Sequence, residues 1–131
     1  AMDVASNGTI YAAGYVTVNT IVRAAVWKIS ANGVVDQTFG FGGVASINSS
    51  NYGDRLFSID YNENNHLLAV TGVSTNVSTP EGLIALLDTT GQLKTSFNTI
   101  GYLANKLINS ISLPFRSFIS FFISIFEKLF K

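Results

Sequence analysis

The sequence predicts a mainly β fold: antiparallel β repeats in about two units, followed by a C-terminal amphipathic helix broken near Pro114. Three observations carry this. Short apolar runs are bounded by Asn, Gly, Ser and Asp clusters, with no helical period between them. The chain resembles itself at a spacing of 58 residues. Its composition changes near residue 103. Residues 1–102 carry four Lys or Arg against seven Asp or Glu, whereas residues 103–131 carry four against one and hold six of the ten Phe.

Taken in order, the strands are "TIYAAGY", "AAVWKI", "GVASI", "LFSIDY", "HLLAVTG" and "GLIALLD". The opening stretch "AMDVASNGTIYAAGY" already reads as strand, turn, strand, so the chain is expected to be a fragment of something longer. Asn7-Gly8 and Asn32-Gly33 are hairpin signals, because Asn followed by Gly accepts positive φ at both centres of a type I′ turn. "DTTGQL" (88–93) is the counterpart turn of the second unit.

Shifting the chain by 58 residues lays "NGTIYAAGYVT" (7–17) on "NHLLAVTGVST" (65–75). The same shift puts Gly14 on Gly72, Gly33 on Gly91, Phe39 on Phe97 and Gly43 on Gly101. "RAAVWKISANG" falls on "EGLIALLDTTG", apolar on apolar and turn on turn. A one-residue insertion near "NENN" brings "MDV" (2–4) onto "IDY" (59–61). The expected division is a first β unit over 1–56, a second, degenerate one over 57–102, and a helical tail over 103–131.

The stretch "SNGTIYAAGY…AAVWKISANGVVDQTFGFGGV" resembles the delta-60 repeat of bacterial surface and secreted proteins. Asn7-Gly8, Ala13-Gly14, Asn32-Gly33, Asp36, Phe39, Gly40, Gly42 and Gly43 carry the resemblance. The second unit departs from it: His66 stands for the hairpin glycine, Lys94 for Asp36, and "FNTIG" keeps only Phe97 and Gly101. The resemblance covers roughly residues 1–101. It implies β-propeller-like blades in a repeated array at the cell surface or outside the cell, and no catalytic residues. Propellers usually close with about 4 to 8 blades. Two units therefore call for neighbouring blades, self-association or cover by the tail.

In "NGVVDQTFGFGGV" (32–44), Asp36 is expected to cap a tight turn, Phe39 to plug the space between sheets, and the glycines to allow backbone that a side chain forbids. The alternative is that "GFGG" cradles phosphate, but no helix start follows to supply the anion site.

From residue 115 onward the tail separates on a helical wheel. Phe115, Phe118, Ile119, Phe121, Phe122, Ile123, Ile125, Phe126, Leu129 and Phe130 share one arc. Arg116, Ser117, Ser120, Ser124, Glu127, Lys128 and Lys131 share the other. Leu103, Ala104, Leu107, Ile108 and Ile111 continue the apolar arc upstream of Pro114, which interrupts the ladder, with Ser112 as N-cap of the second segment. A membrane span needs about 20 consecutive apolar residues, and serines and charges recur here at every turn. The Phe115, Phe118, Ile119, Phe122, Phe126 and Leu129 face therefore covers the β units, binds a membrane surface or docks on a partner. Each such side chain gains about 1.5–3 kcal/mol on burial, so something must cover it.

Composition narrows the function classes. A 47% hydrophobic and 12% charged chain is not disordered, and zero net charge argues against nucleic acid. No Cys is present, so neither disulfides nor thiolate chemistry arise, and no signal-peptide pattern opens the chain. Asp60, Asn62 and Asn64 have the alternate spacing of a calcium loop, but Thr71 stands where a bidentate Glu belongs, and a solvated Asn-rich turn is the competing reading. His66, the single histidine, reads as an exposed turn residue, since no G-x-S-x-G elbow accompanies it. Trp27 reads as packing between blades. No cofactor is expected. The leading expectation is a non-enzymatic structural or binding module for an unidentified protein or glycan. The rival is a membrane-associated protein working through residues 103–131, and a hydrolase ranks third.

Overall fold

The computed structural model describes residues 1–50, 52–75 and 80–95, together with the backbone of 102–105. Two four-stranded antiparallel sheets account for them. The first runs β1 (Met2–Val4), β2 (Ile10–Val18), β3 (Ile21–Ile29), β4 (Ala45–Ile47), with neighbours in space in the same order as in sequence. The second repeats the plan with β5 (Gly53–Asn62), β6 (Leu67–Thr75), β7 (Pro80–Asp88) and β8 (Tyr102–Asn105). Each is a meander; where the connection is tight, as at residues 19–20 and 63–66, the chain can only return antiparallel to its neighbour.

The 58-residue spacing is a property of the backbone, not only of the sequence. Gly14 pairs with Ala25 and Gly72 with Leu83, and eight of the nine β2–β3 pairs, Ile10↔Ile29 to Thr17↔Val22, map onto β6–β7 pairs at that spacing. Ala24↔Ile47 maps likewise onto Gly82↔Asn105. Outside the strands, the bridge Ile29↔Val35 maps onto Leu87↔Leu93. The bond from Asp36 N to Lys28 O at 2.8 Å recurs as Lys94 N to Leu86 O at 2.8 Å. The first strands sit one residue closer in sequence, as the inserted residue requires: Met2↔Ala12 corresponds to Ile59↔Val70. The extra residue lies in the turn after Tyr61, where the sequence put it. Phe97 and Gly101 lie outside the described residues.

The sheets pack face to face. Alternation puts Tyr11, Ala13, Ala24, Val26, Ala45 and Ile47 on one face of the first sheet. Leu56, Ile59, Leu68, Val70, Leu83, Ala85 and Leu87 line the facing side of the second. Together with Phe39 they form one buried cluster. The edge strand β5 lies against β1, β2 and β3. Burying Phe39, Leu68, Leu83 and Leu87 completely stabilises the fold by about 1.5–3 kcal/mol for each.

Three local expectations change. Asn7-Gly8 and Asn32-Gly33 are not type I′ turns, because only the glycines have positive φ, +84° and +80°. Gly8 N donates to Ala5 O at 2.9 Å and Gly33 N to Ser30 O at 2.8 Å, so each is a longer loop ending in one left-handed glycine. The two-residue turn with both centres positive is Asn19-Thr20, with φ of 48° and 69°. The tail also starts later than expected, because residues 103–105 belong to β8 and pair with β7. Two apolar residues, Leu103 and Ala104, are too few to separate a helical period from a strand period. The rest of the expected helical tail, with the break expected at Pro114, lies outside the described residues. The expected division between residues 56 and 57 falls inside β5.

β5 carries a bulge between Leu56 and Ser58, and this brings Arg55 close to Gly72. A Cβ at Gly72 would lie 1.8 Å from Arg55 O. At the equivalent Gly14 a Cβ would meet nothing closer than Trp27 Cζ3 at 3.7 Å.

Gly33 and Gly91 occupy the same turn with the same positive φ, but a Cβ at Gly33 meets nothing within 4 Å, while at Gly91 it meets Gly40 N at 2.8 Å. Gly33→Ala is expected to cost only the left-handed backbone penalty, roughly 1–2 kcal/mol. Gly91→Ala adds an overpacking cost of about 1–3 kcal/mol at the seam. Urea denaturation of the two variants checks the difference; equal losses would show that the Gly40–Gly91 contact is unimportant.

Candidate functional site

The stretch 32–44 reaches the seam between the sheets through Phe39 and Gly40. Asp36 Oδ1 accepts hydrogen bonds from Thr38 N at 3.0 Å and Thr38 Oγ1 at 2.6 Å, and its other oxygen lies 3.0 Å from Lys28 Nζ. The Thr38 hydroxyl, then Lys28, then the Thr38 amide hold the Asp36 carboxyl down to about 2. The cap aims Phe39 inward, where it is fully buried with its ring 6.4 Å from that of Tyr11. Burial first, and the neighbouring Tyr61 next, push the Tyr11 phenol up to about 12. Gly40, at φ +61°, passes so close to the backbone of Val44 that a Cβ would sit 2.2 Å from its carbonyl oxygen.

This geometry answers the phosphate reading of "GFGG". Phe39 N donates to Asp36 O at 3.1 Å, Gly40 N to Thr90 O at 2.8 Å and Phe41 N to Val44 O at 2.8 Å. Three successive amides that an anion would need are already engaged with carbonyls. One of them, Gly40 N, ties the loop to the turn of the second sheet.

The other side of the seam is built on Asp3, which the sequence did not single out. Its Oδ1 accepts from Val4 N at 2.9 Å and its Oδ2 from Tyr61 N at 2.7 Å. Val4 and Tyr61 are equivalent positions on β1 and β5. One carboxylate thus joins the same backbone amide of two consecutive units. The Tyr11 and Tyr61 rings lie 4.8 Å apart, and Ser6 N donates to Glu63 Oε1. These Ser6 bonds, from the backbone amide and then the hydroxyl, hold the Glu63 carboxyl below its ordinary value. Arg55 lies 5.3 Å over the ring of Tyr15, a further contact across the units.

The calcium candidates occupy a hairpin. Asp60 is a strand residue opposite Ala69, and its carboxyl is pushed up by burial and by the charge of Asp3. Asn62 Oδ1 accepts from Asn64 N at 2.9 Å, and Asn65 Oδ1 from Leu67 N at 3.2 Å, so the asparagines close local turns. Asn7 does the same for Thr9 N at 3.0 Å, which makes the hairpin turns of the two units alike. Among the described residues no group of three His, Cys, Asp or Glu could hold a metal ion. His66 takes the position of Gly8 and adopts its positive φ, 56°; its Nδ1 lies 3.1 Å from the Tyr61 hydroxyl.

A second acid, also unforeseen, is fully buried. Asp54 accepts from Ser49 N at 2.8 Å and Ser49 Oγ at 2.7 Å, and Ser50 adds longer bonds of 3.3 and 3.2 Å. The Ser49 and Ser74 hydroxyls are 2.8 Å apart. This network fastens the linker between the sheets to β5 and β6. It stands at the opposite end of the β5–β6 hairpin from His66, so serine, aspartate and histidine are not brought together there. Trp27 is half-buried on the outer face of the first sheet. Phe115, Phe118, Ile119, Phe122, Phe126 and Leu129 lie outside the described residues.

Residues 5–39 match a family model described as "Domain of unknown function (DUF5122) beta-propeller". The match ends on Phe39 and spans β2, β3 and the Asp36 cap. It supports a β-propeller-like repeat. No curated protein and no solved structure matches the chain.

Two outcomes follow. A thermal melt with and without a calcium chelator is expected to give the same midpoint, since the asparagine side chains of 60–66 serve the turn; a lower midpoint with chelator would restore the metal site. The Asp36 carboxyl is lowered on folding from 3.8 to about 2, so its stabilisation is present above 3.8 and is lost as pH falls toward about 2. Asp36→Asn should therefore flatten the dependence of the urea midpoint on pH in this window relative to the unmodified chain.

Proposed function

We propose that the chain is a non-enzymatic structural or binding module, two blades of a repeated propeller-like array of the delta-60 kind, belonging to a surface or secreted protein. The observation that carries this is the repetition of the backbone, bond for bond, around a buried seam. The conspicuous polar groups serve that seam or its turns: Asp36, Asp3, Asp54 and Asn62 all bind nearby backbone amides. The family match over the first unit supports the same reading. Contact surface for a protein or glycan is supplied by aromatics that the fold leaves exposed. Tyr15 carries Arg55 over its ring, and Tyr52 and Phe57 flank Arg55 in sequence. Rigid aromatic side chains lose little entropy on binding, which suits them to recognition.

The test sets this reading against a membrane role for the tail. Co-sedimentation with liposomes containing anionic lipid is measured for the full chain and for a chain ending at Asn105, which keeps β8. Equal partitioning is expected. Sedimentation of the full chain alone would move the function to the tail and overturn the module reading.

A further inference from the structure

The seam is closed at one end and open at the other, and three contacts show how β5 lies along β2. The Tyr61 ring is 4.8 Å from that of Tyr11, and Arg55 Cζ is 5.3 Å from the ring centre of Tyr15. Further along, a Cβ at Gly53 would stand 3.6 Å from the Cβ of Val22, which pairs with Thr17. The two strands therefore run antiparallel. By alternation Tyr15 shares a face of β2 with Tyr11 and Ala13. Yet Tyr11 is 3% exposed and Tyr15 is 55% exposed. The inner face of the first sheet thus comes into the open at Tyr15.

This register brings aromatic side chains and one cation to the open rim. Tyr52 and Phe57, on either side of Arg55, are both exposed. Thr17, Asn19 and Thr20, at the end of the β2–β3 hairpin, are exposed and neutral. The ion pair among the described residues is Lys28–Asp36, so Arg55 has no carboxylate partner there. Its neighbour Asp54 is fully buried and takes its hydrogen bonds from Ser49 and Ser50. Arg23 faces the other side of the sheet, since Ala24 belongs to the buried cluster. The Tyr15 ring places the Arg55 guanidinium through its π-face, which uses none of the guanidinium N–H donors.

We propose that this rim binds a polysaccharide bearing uronic acid carboxylates, with Arg55 holding the carboxylate. The proposal rests on the module reading above and names its ligand class. Charge complementarity sets the acid: a planar guanidinium matches a carboxylate with two parallel N–H···O bonds. Tyr15 is a positioning residue, because it orients Arg55. Tyr52 and Phe57 offer ring faces to the C–H surface of a sugar. Thr17, Asn19 and Thr20 supply donors and acceptors for hydroxyls. A single cation among neutral hydrogen-bonding groups suits carboxylates spaced apart by hydroxyls. An acidic peptide, with adjacent carboxylates, calls for several cations.

The test titrates the full chain calorimetrically with three probes: oligogalacturonate, its neutral methyl ester, and oligoglutamate. Oligogalacturonate is expected to bind. The ester should bind roughly tenfold more weakly, the scale of one hydrogen bond to a charged group. That comparison needs no variant, so it does not depend on a substitution being tolerated. Arg55→Ala should reduce oligogalacturonate binding to the level of the ester. Arg55→Lys keeps the charge but not the planar fork, and should restore only part of the affinity. Tyr15→Phe should retain the preference for acid over ester, and Tyr15→Leu should narrow it. A merely structural role for Tyr15 would weaken both probes alike and leave that preference unchanged. Equal binding of acid and ester, no binding of oligogalacturonate, or full affinity in Arg55→Ala would overturn the proposal. So would oligoglutamate binding as tightly as oligogalacturonate, since that would assign the rim to an acidic peptide. These results turn on Arg55 and Tyr15, whereas the liposome assay turns on the tail, so failure here is distinguishable from failure of the module reading.

Discussion

A four-stranded sheet with two apolar faces cannot stand alone in water, and this constraint organises the molecule. Each unit has such faces, and the seam covers one from each. The contact needs a fixed register as well as greasy surface, and polar groups supply it. Asp3 holds Val4 N and Tyr61 N with one carboxylate, and Gly40 N reaches Thr90 O from the far side of the interface. Hydrophobic burial is non-directional, so on its own it would allow the sheets to slide. The two hydrogen bonds, one at each flank, select a single seating. The buried Asp54 network adds a third constraint by fixing the linker between the units.

The second unit shows what the repeat needs and what it does not. Tyr11 becomes Ala69, Lys28 becomes Leu86 and Asp36 becomes Lys94 at the 58-residue spacing. The Lys28–Asp36 ion pair is thereby lost, yet the amide of Lys94 still donates to Leu86 O as Asp36 N does to Lys28 O. The turn geometry survives because it is set elsewhere. Ser30 Oγ accepts from Val34 N, and Asp88 Oδ1 accepts from Gln92 N at 3.1 Å in the same place. Burial pushes the Asp88 carboxyl up, but its bonds from Thr90 and Gln92 outweigh this and leave it below its ordinary value. The left-handed glycine that follows, Gly33 or Gly91, is common to both. Side chains could therefore drift while the backbone stayed in register.

This explains what could be read from the sequence. The strands, the spacing, the inserted residue and the inward Phe39 were legible because each depends on local chemistry repeated twice. Asp3 was not, because its partner lies 58 residues away, and nothing in "MDV" distinguishes it from any surface aspartate. Asp54 was missed for a different reason: its partners Ser49 and Ser50 lie close by in a Ser-rich linker, and nothing in the local sequence marks that linker as closing over a buried carboxylate. β8 was hidden by the composition change at residue 103, which marks a shift in chemistry but not the end of the sheet. The type I′ turn escaped because Asn19-Thr20 breaks the local rule. A β-branched residue in the left-handed region is unfavourable, and it is held there by nine cross-strand pairs of β2 and β3.

The head-to-tail seam also accounts for the texture of the strands. In an antiparallel sheet with one wet face, apolar and polar residues alternate. Here "AAVW" and "LIALL" run without alternation. Both faces of each sheet carry apolar side chains, so positions of both parities are apolar. Charge is then displaced to turns, edges and the seam's rim, where Asp3, Lys28, Asp36 and Glu63 are found. The low charged fraction and the unbroken apolar runs are thus two consequences of one packing rule.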